Sequence, residues 1–290
     1  VPGETPPGSS KENLKDTIMQ ITLPVRFFRA VPSRTPDGYI TEAWNLDLSK
    51  TAFVSLHAWN VGCPGGPPVP EEYWVDMGSP QNHEVGWRII TGEIVPALAA
   101  ARRIGMNVVH VQSESIGRKY PHLMPPMPEE RLAAADGTPD AKIPTLEARH
   151  RMPISDHYSR RASRVHGEGF MNWDGWKDLD FAEPLRPLPN ETVVISTEQW
   201  DDWLREKGID TLIYVGFCTN LCILDAPGGM RQMAPLGYRC VLLREATLAV
   251  EFPETLEQRL QTQASLRHIE AWVGYTAGCQ EFLRACESAK

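Results

Sequence analysis

Gly216-Phe217-Cys218-Thr219-Asn220-Leu221-Cys222 follows a short apolar run, Thr211-Leu-Ile-Tyr-Val215, and leads into a segment with helical spacing. A buried strand that passes through glycine into a small-residue turn and then a helix gives a side chain at the helix start two advantages. It meets free backbone N–H groups and the positive end of the helix dipole. Both favour a thiolate, so the pattern predicts a lowered pKa and a nucleophilic role for Cys222. The competing reading is a small buried filler, the commoner fate of a free cysteine.

Working outward, four further stretches read as strands: Thr51-Ala-Phe-Val-Ser-Leu-His57, Asn107-Val-Val-His-Val-Gln112, Glu191-Thr-Val-Val-Ile-Ser196 and Arg239-Cys-Val-Leu-Leu-Arg244. Between them, helical spacing covers residues 84–104, closed by Gly105, and residues 199–207, stopped by Gly208. It also covers 220–236, interrupted at Pro227-Gly228-Gly229, then 253–271 and 278–285. Alternation of apolar strands with helices predicts a three-layer α/β/α fold around a mainly parallel, roughly six-stranded sheet. Residues 1–47 read as an N-terminal arm or extension, with one or two strands in 17–31 and a turn at 32–38. Residues 48–287 read as the main domain, carrying a long insertion at 113–190. A loop of that length is expected to be a lid, an interface arm or partly disordered. Trp173, Trp176 and Phe170 within it are read first as packing residues.

In parallel sheets ligands sit at the carboxyl ends of the strands. His57, Gln112, Ser196 and the turn 217–222 all lie at such ends, which locates a site before any family is considered.

Three stretches then carry a resemblance: Thr51-Ala-Phe-Val-Ser-Leu-His-Ala-Trp-Asn60, the run from Gly208-Ile-Asp to Cys222, and Gly237-Tyr-Arg-Cys-Val-Leu-Leu-Arg-Glu-Ala-Thr247. Together they resemble the isochorismatase-like cysteine hydrolases, which include nicotinamidases and N-carbamoylsarcosine amidohydrolases. The likeness spans roughly residues 48–112 and 190–287. It implies that Cys222 attacks a carbonyl carbon, that the Phe217–Cys218 peptide is cis, and that the N–H groups of Cys218 and Cys222 form an oxyanion hole.

The family's two other catalytic positions, an Asp and a Lys, are occupied here by His57 and Ser196. A neutral His57 needs no lysine to balance it, so the double replacement is electrostatically consistent with a Cys222–His57 site. It is equally consistent with a family member that has left catalysis and serves binding or assembly. By itself His57 also reads as a strand-end histidine bonded to backbone. Trp59, Asn60, Ser196 and Phe217 are candidates for the substrate pocket. The place of the nicotinamidase metal ligands reads Ser113-Glu114-Ser115-Ile116, so no metal and no cofactor are expected. A soft-metal site of His57, Cys63, Cys218 and Cys222 is the minor alternative. The resemblance further implies a small amide or ester-type substrate and a homo-oligomer.

Composition fits these expectations. The 290 residues are 42% hydrophobic and 23% charged, with a formal net charge of -8, which argues against a nucleic-acid partner. Apolar runs fall short of the ~20 residues of a membrane span. The six cysteines lack a disulfide rhythm, and neither a CxxC nor an HExxH motif is present. A cytoplasmic location is the expectation, with an exported form left open by the non-Met first residue and the Pro/Gly/Ser-rich start.

Overall fold

Strands that are apolar at every position must be covered on both faces. That is what the computed structural model of the protein shows for residues 19–127 and 164–289, the residues it describes. Its strands are β1 (Gln20–Arg29), β2 (Gly38–Asp47), β3 (Thr51–Leu56), β4 (Asn107–Val111), β5 (Thr192–Val194), β6 (Thr211–Phe217), β7 (Arg239–Leu248) and β8 (Tyr275–Ala277). They form one 8-stranded sheet in the order β2-β1-β8-β7-β6-β3-β4-β5. All pairings from β8 through β5 are parallel, and only β1 pairs antiparallel, with β2 and with β8.

The three-layer, mainly parallel architecture is the one expected, but the sheet has eight strands where roughly six were anticipated. The two unread strands have physical excuses. β2 is half exposed and mixes Thr, Glu and Asn with aromatics, and β8 is only 3 residues long, too short to show a period. The N-terminal hairpin joins the sheet itself. Ile21, Leu23, Val25, Leu46 and Leu48 are buried in the same cluster as Phe53 and Ile213.

Side chains alternate between the two faces along each strand. Phe53, Ile213, Val215, Val241 and Leu243 point into one core, against α1 (Pro80–Ile89), α2 (Val95–Arg103) and the C-terminal helix (Cys279–Glu287). Ala52, Val54, Leu212, Tyr214 and Leu242 point into the other, against α3 (Thr197–Lys207), α4 (Cys222–Asp225) and α5 (Leu260–Trp272). The segment read as one helix at 84–104 starts earlier, at Pro80, with Ser79 as its cap. It runs through a π-helical turn (Ile90–Ile94) before α2. The segment read at 253–271 is broken at Arg259, whose φ is 51°.

Of the insertion, residues 113–127 and 164–190 are described. They build a satellite core in which Ile116, Leu123, Trp173, Leu179 and Phe181 pack with Val61 and Val75. Trp173 meets Trp176 edge-on at 5.0 Å. The rest of the insertion, and residues 1–18 of the arm, lie outside the described residues.

The chain leaves β3 toward β4 on one side and later returns to pair β6 on its other side. That reversal between β3 and β6 is the topological switch point at which an open α/β sheet leaves a crevice. His57 and the 217–222 turn flank it.

Candidate functional site

Gly216 determines the shape of the nucleophile turn. Its φ is +118°, and a Cβ there would sit 1.9 Å from the Leu56 carbonyl oxygen, so only glycine lets β6 lie this close to β3. The following Phe217–Cys218 peptide is cis. Cys218 then anchors the turn, its carbonyl accepting from the N–H groups of Leu221 and Ile223, both at 3.1 Å. Thr219 is fixed to Thr247 by a 2.7 Å bond between hydroxyls, and the Thr219 N–H donates to the Leu248 carbonyl at 3.0 Å. Cys222 begins α4 and is half-buried, and the backbone N–H groups of Cys218 and Cys222 itself are both directed at its sulfur.

The thiol pKa moves opposite to the expectation. Burial pushes the Cys222 thiol up to about 11, the charges of Asp76 and Asp225 push the same way, and the two N–H groups offset only part of this. The sequence argument gave weight to the helix start, but α4 has only 4 residues and a correspondingly small dipole. At pH 7 such a thiol is ionised in roughly one molecule in ten thousand.

His57 ends β3 with a left-handed backbone, φ 48°, and its N–H donates to the Val111 carbonyl at 3.2 Å. Its ring stacks on Trp59 at 4.9 Å, and its Nδ1 is enclosed without a hydrogen-bond partner among the described residues. Burial lowers its pKa to about 4, against a smaller upward pull from Asp76, so the imidazole is neutral at pH 7. No hydrogen bond links His57 to Cys222 among the described residues. Beside it, the Trp59 indole N–H donates to Gln112 Oε1 at 3.0 Å. Because an indole N–H can only donate, the Gln112 amide is held with its nitrogen facing away, and that buried nitrogen has no partner among the described residues.

The other expected residues have identifiable local work. Asn60 clamps the end of the insertion: Nδ2 donates to the Asp178 carbonyl at 3.1 Å and Oδ1 accepts from the Asp180 N–H at 2.9 Å. Ser196 is buried, and its hydroxyl accepts from the Gln199 N–H as the cap of α3. Phe217 is 3% exposed and packs with Met77 and Cys218. The Cys63 thiol donates to the Trp59 carbonyl at 3.6 Å. The Lys119 ammonium donates to the Leu179 carbonyl. Among the described residues no group of three or more His, Cys, Asp or Glu is arranged to hold a metal ion.

Sequence reasoning missed one group. Asp76 lies in the β3–α1 loop, and its carboxylate is the charge that acts on His57, Cys63, Cys218 and Cys222 alike. Its Oδ2 lies 3.2 Å from His83 Nε2. The available signal was Val75-Asp76-Met77-Gly78-Ser79-Pro80, an acid between apolar residues immediately before a Ser-Pro helix start.

A parallel α/β sheet with a cysteine on a tight glycine-led turn at the switch point defines a class of α/β cysteine hydrolase architecture. The sequence model of the isochorismatase domain family matches residues 71–277. The chain is 28% identical over 204 residues to the ureidoacrylate amidohydrolase RutB of Cronobacter turicensis, covering 68% of this chain and 74% of that protein. It is 28% identical over 200 residues to RutB of Cronobacter sakazakii, covering 66% and 72%. A solved cysteine hydrolase from Pseudomonas syringae pv. phaseolicola 1448A covers 84% of this chain and 96% of its own, with a TM-score of 0.49 and 18% identity. The chain belongs to the isochorismatase-like cysteine hydrolases. Among the described residues no helix is long and apolar enough to cross a membrane.

Proposed function

We propose that the protein hydrolyses a small amide, ester or related C–N compound through a covalent intermediate on Cys222. The observation that carries this reading is the convergence of the Cys218 and Cys222 N–H groups on the Cys222 sulfur. Donors aimed at a nucleophile also reach the oxygen of a carbonyl that it attacks, and there they meet the charge that develops in the transition state. The thiol proton passes to His57, which is neutral and therefore able to accept it. The sulfur bonds to the carbonyl carbon and the C=O pair moves to the oxygen. The C–N or C–O bond then breaks, His57 returns the proton to the leaving group, and water hydrolyses the thioester. In this reading Trp59, stacked on His57, and Phe217, joined to Cys218, wall the substrate pocket, while Asn60 and Ser196 support the elements around it. The RutB relatives make ureido and amide compounds the first substrates to try.

The raised thiol favours a second reading, a binding or assembly protein that keeps the fold without turnover. The two separate on one experiment. Purified protein is screened for ammonia release from ureidoacrylate, nicotinamide and simple amides, and Cys222 is probed with iodoacetamide. Turnover that Cys222→Ala abolishes supports the hydrolase. A thiol that resists selective labelling, with no turnover of any amide or ester, removes it. Assembly into a homo-oligomer is read from light scattering of the same sample.

A further inference from the structure

The acidic position of the family is occupied here by His57, yet the site does not lack a carboxylate. Asp76 arrives from a different part of the chain, on the turn Val75–Gly78, which is closed by the Gly78 N–H donating to the Val75 carbonyl at 2.7 Å. The turn is tied down from both sides. Val75 packs with Val61 and Phe181 in the cluster against which Trp59 rests, and Trp59 is the ring stacked on His57. Met77 packs with Ala58, Cys63, Phe217 and Cys218, the start of the nucleophile turn. The Met77 carbonyl also accepts from Asn82 Nδ2 at 2.8 Å. Asp76 is therefore flanked by one residue of the cluster on which Trp59 rests and one of the cluster that holds Cys218, and its charge reaches both His57 and Cys222.

Its own fastening is specific. The Asp76 side chain is 13% exposed and that of His83 is 1% exposed. His83 Nδ1 lies 3.0 Å from the Ser79 carbonyl, which can only accept, so that nitrogen carries a proton. Nε2 of the same ring faces Asp76 Oδ2 at 3.2 Å, so the two contacts fix the carboxylate's direction. His83 thus holds one oxygen of Asp76 in place, while Asp76 Oδ1 makes no hydrogen bond among the described residues. The backbone adds an independent sign. Among the described residues only His57, Asp76 and Arg259 are non-glycine residues with positive φ, and two of the three are at this site. Unusual backbone of this kind gathers where function fixes a side chain's direction.

We propose that Asp76, fastened by His83, is the acidic positioning residue of this site: its carboxylate stabilises His57 when that imidazole takes the Cys222 proton. The inference rests on the reading of Cys222 as nucleophile and His57 as its base. No bond forms or breaks at Asp76. It supplies the negative charge that an imidazolium in an apolar corner requires, as the buried carboxylate does in other nucleophile–histidine sites. Among the described residues, the titratable groups it acts on or touches are His57 just after β3, Cys63 in the following loop, His83 on α1, and Cys218 and Cys222 after β6. Asp225 on α4 acts on Cys222 as well.

The test compares the full-length protein with Asp76→Asn, and with Asp76→Glu and His83→Gln as second variants, by three readouts. In Asp76→Asn, kcat/KM for a hydrolysed amide is expected to fall between about 10²- and 10⁴-fold, mostly in kcat, with part of it restored in Asp76→Glu. The His57 ring proton, followed by NMR titration, is expected to show a still lower midpoint, since only the upward pull of the carboxylate has been removed. Loosened packing would instead move His57 up toward its ordinary value near 6.5. The pH midpoint of Cys222 alkylation by iodoacetamide is expected to move down. A His57 midpoint that rises or stays put in Asp76→Asn overturns the proposal, as does unchanged kcat. The His57 titration needs no substrate, so this proposal fails separately from the hydrolase reading, which fails if wild-type protein shows neither turnover nor Cys222 labelling.

Discussion

Among the described residues two histidine–carboxylate pairs are buried, and they are built for opposite ends. His110 on β4 gives its Nε2–H to Glu191 Oε2 at 2.8 Å, and Arg102 adds bonds of 2.7 and 2.9 Å to the same carboxylate. The Leu188 N–H adds another at 2.9 Å. Four donors converge on the Glu191 carboxylate, and together they outweigh burial to pull its pKa down to about 2. Burial lowers the His110 pKa, so His110 is neutral against an ionised carboxylate. This pair ties α2 to the end of the insertion and offers no charge to anything else. Among the described residues no arginine pairs with Asp76, and its charge acts on three cysteines and a histidine. What separates a structural from a chemical use of the same two side chains is whether the carboxylate's remaining capacity is closed off.

The comparison presumes that the thiol under the Asp76 field is the reacting group. Cys222→Ala is accordingly expected to lower turnover by about 10⁴-fold or more, with the far-UV circular dichroism unchanged. Next in size is the crossed experiment. Glu191→Gln leaves Arg102 and His110 without their charge partner and is expected to cost about 3 kcal/mol in urea unfolding, while the Cys222 alkylation profile stays in place. A shifted alkylation profile in Glu191→Gln would erase the distinction between the pairs.

The pH dependence sharpens it further. His57 has a folded pKa of about 4, below its ordinary 6.5. A depressed histidine binds its proton less well in the folded state, so its contribution to stability is fully present above about pH 6.5 and is lost as pH falls toward 4. That loss is on the order of 3 kcal/mol and should be missing in His57→Gln, as read by thermal unfolding across that window. Glu191 has the opposite chemistry and a lower window: its contribution is present above about 4.5 and is lost as pH falls through about 2. Two separable acid steps are the expected signature. The smallest effect belongs to Ser196→Ala, which removes the α3 cap and is expected to cost about 1 kcal/mol of stability by urea denaturation.

The β3–β7 strands and the turn at Gly216 were legible in the sequence, because fully buried strands leave uninterrupted apolar runs and a glycine forced by a neighbouring backbone leaves itself. The cysteine's environment was not. Whether a thiol at a helix start is acidified depends on helix length and on enclosing side chains, and Cys222 has a 4-residue helix and two nearby carboxylates. Asp76 escaped for a related reason. Its importance comes from packing that brings the β3–α1 loop over the nucleophile turn, and no residue spacing encodes that approach. Ser196 shows the reverse case. It occupies a position that the resemblance marks as chemical, and the fold uses its hydroxyl to start a helix.

The hairpin of β1 and β2 has a bearing on how much chain this protein needs in order to fold. It meets β8 in the ladder at the single pair Arg26 and Thr276, so backbone bonds alone hold it weakly. Its grip is apolar, through Ile21, Leu23, Val25, Leu46 and Leu48 in the shared core, with Arg26 reaching the buried Glu270 at 2.7 Å. The match to the family model begins at residue 71, after β3 and after His57. A chain cut to that stretch, or even to the end of β2, would open one wall of the core to water. The length that a family model matches and the length that folds are different quantities here, and truncation should be set by the second.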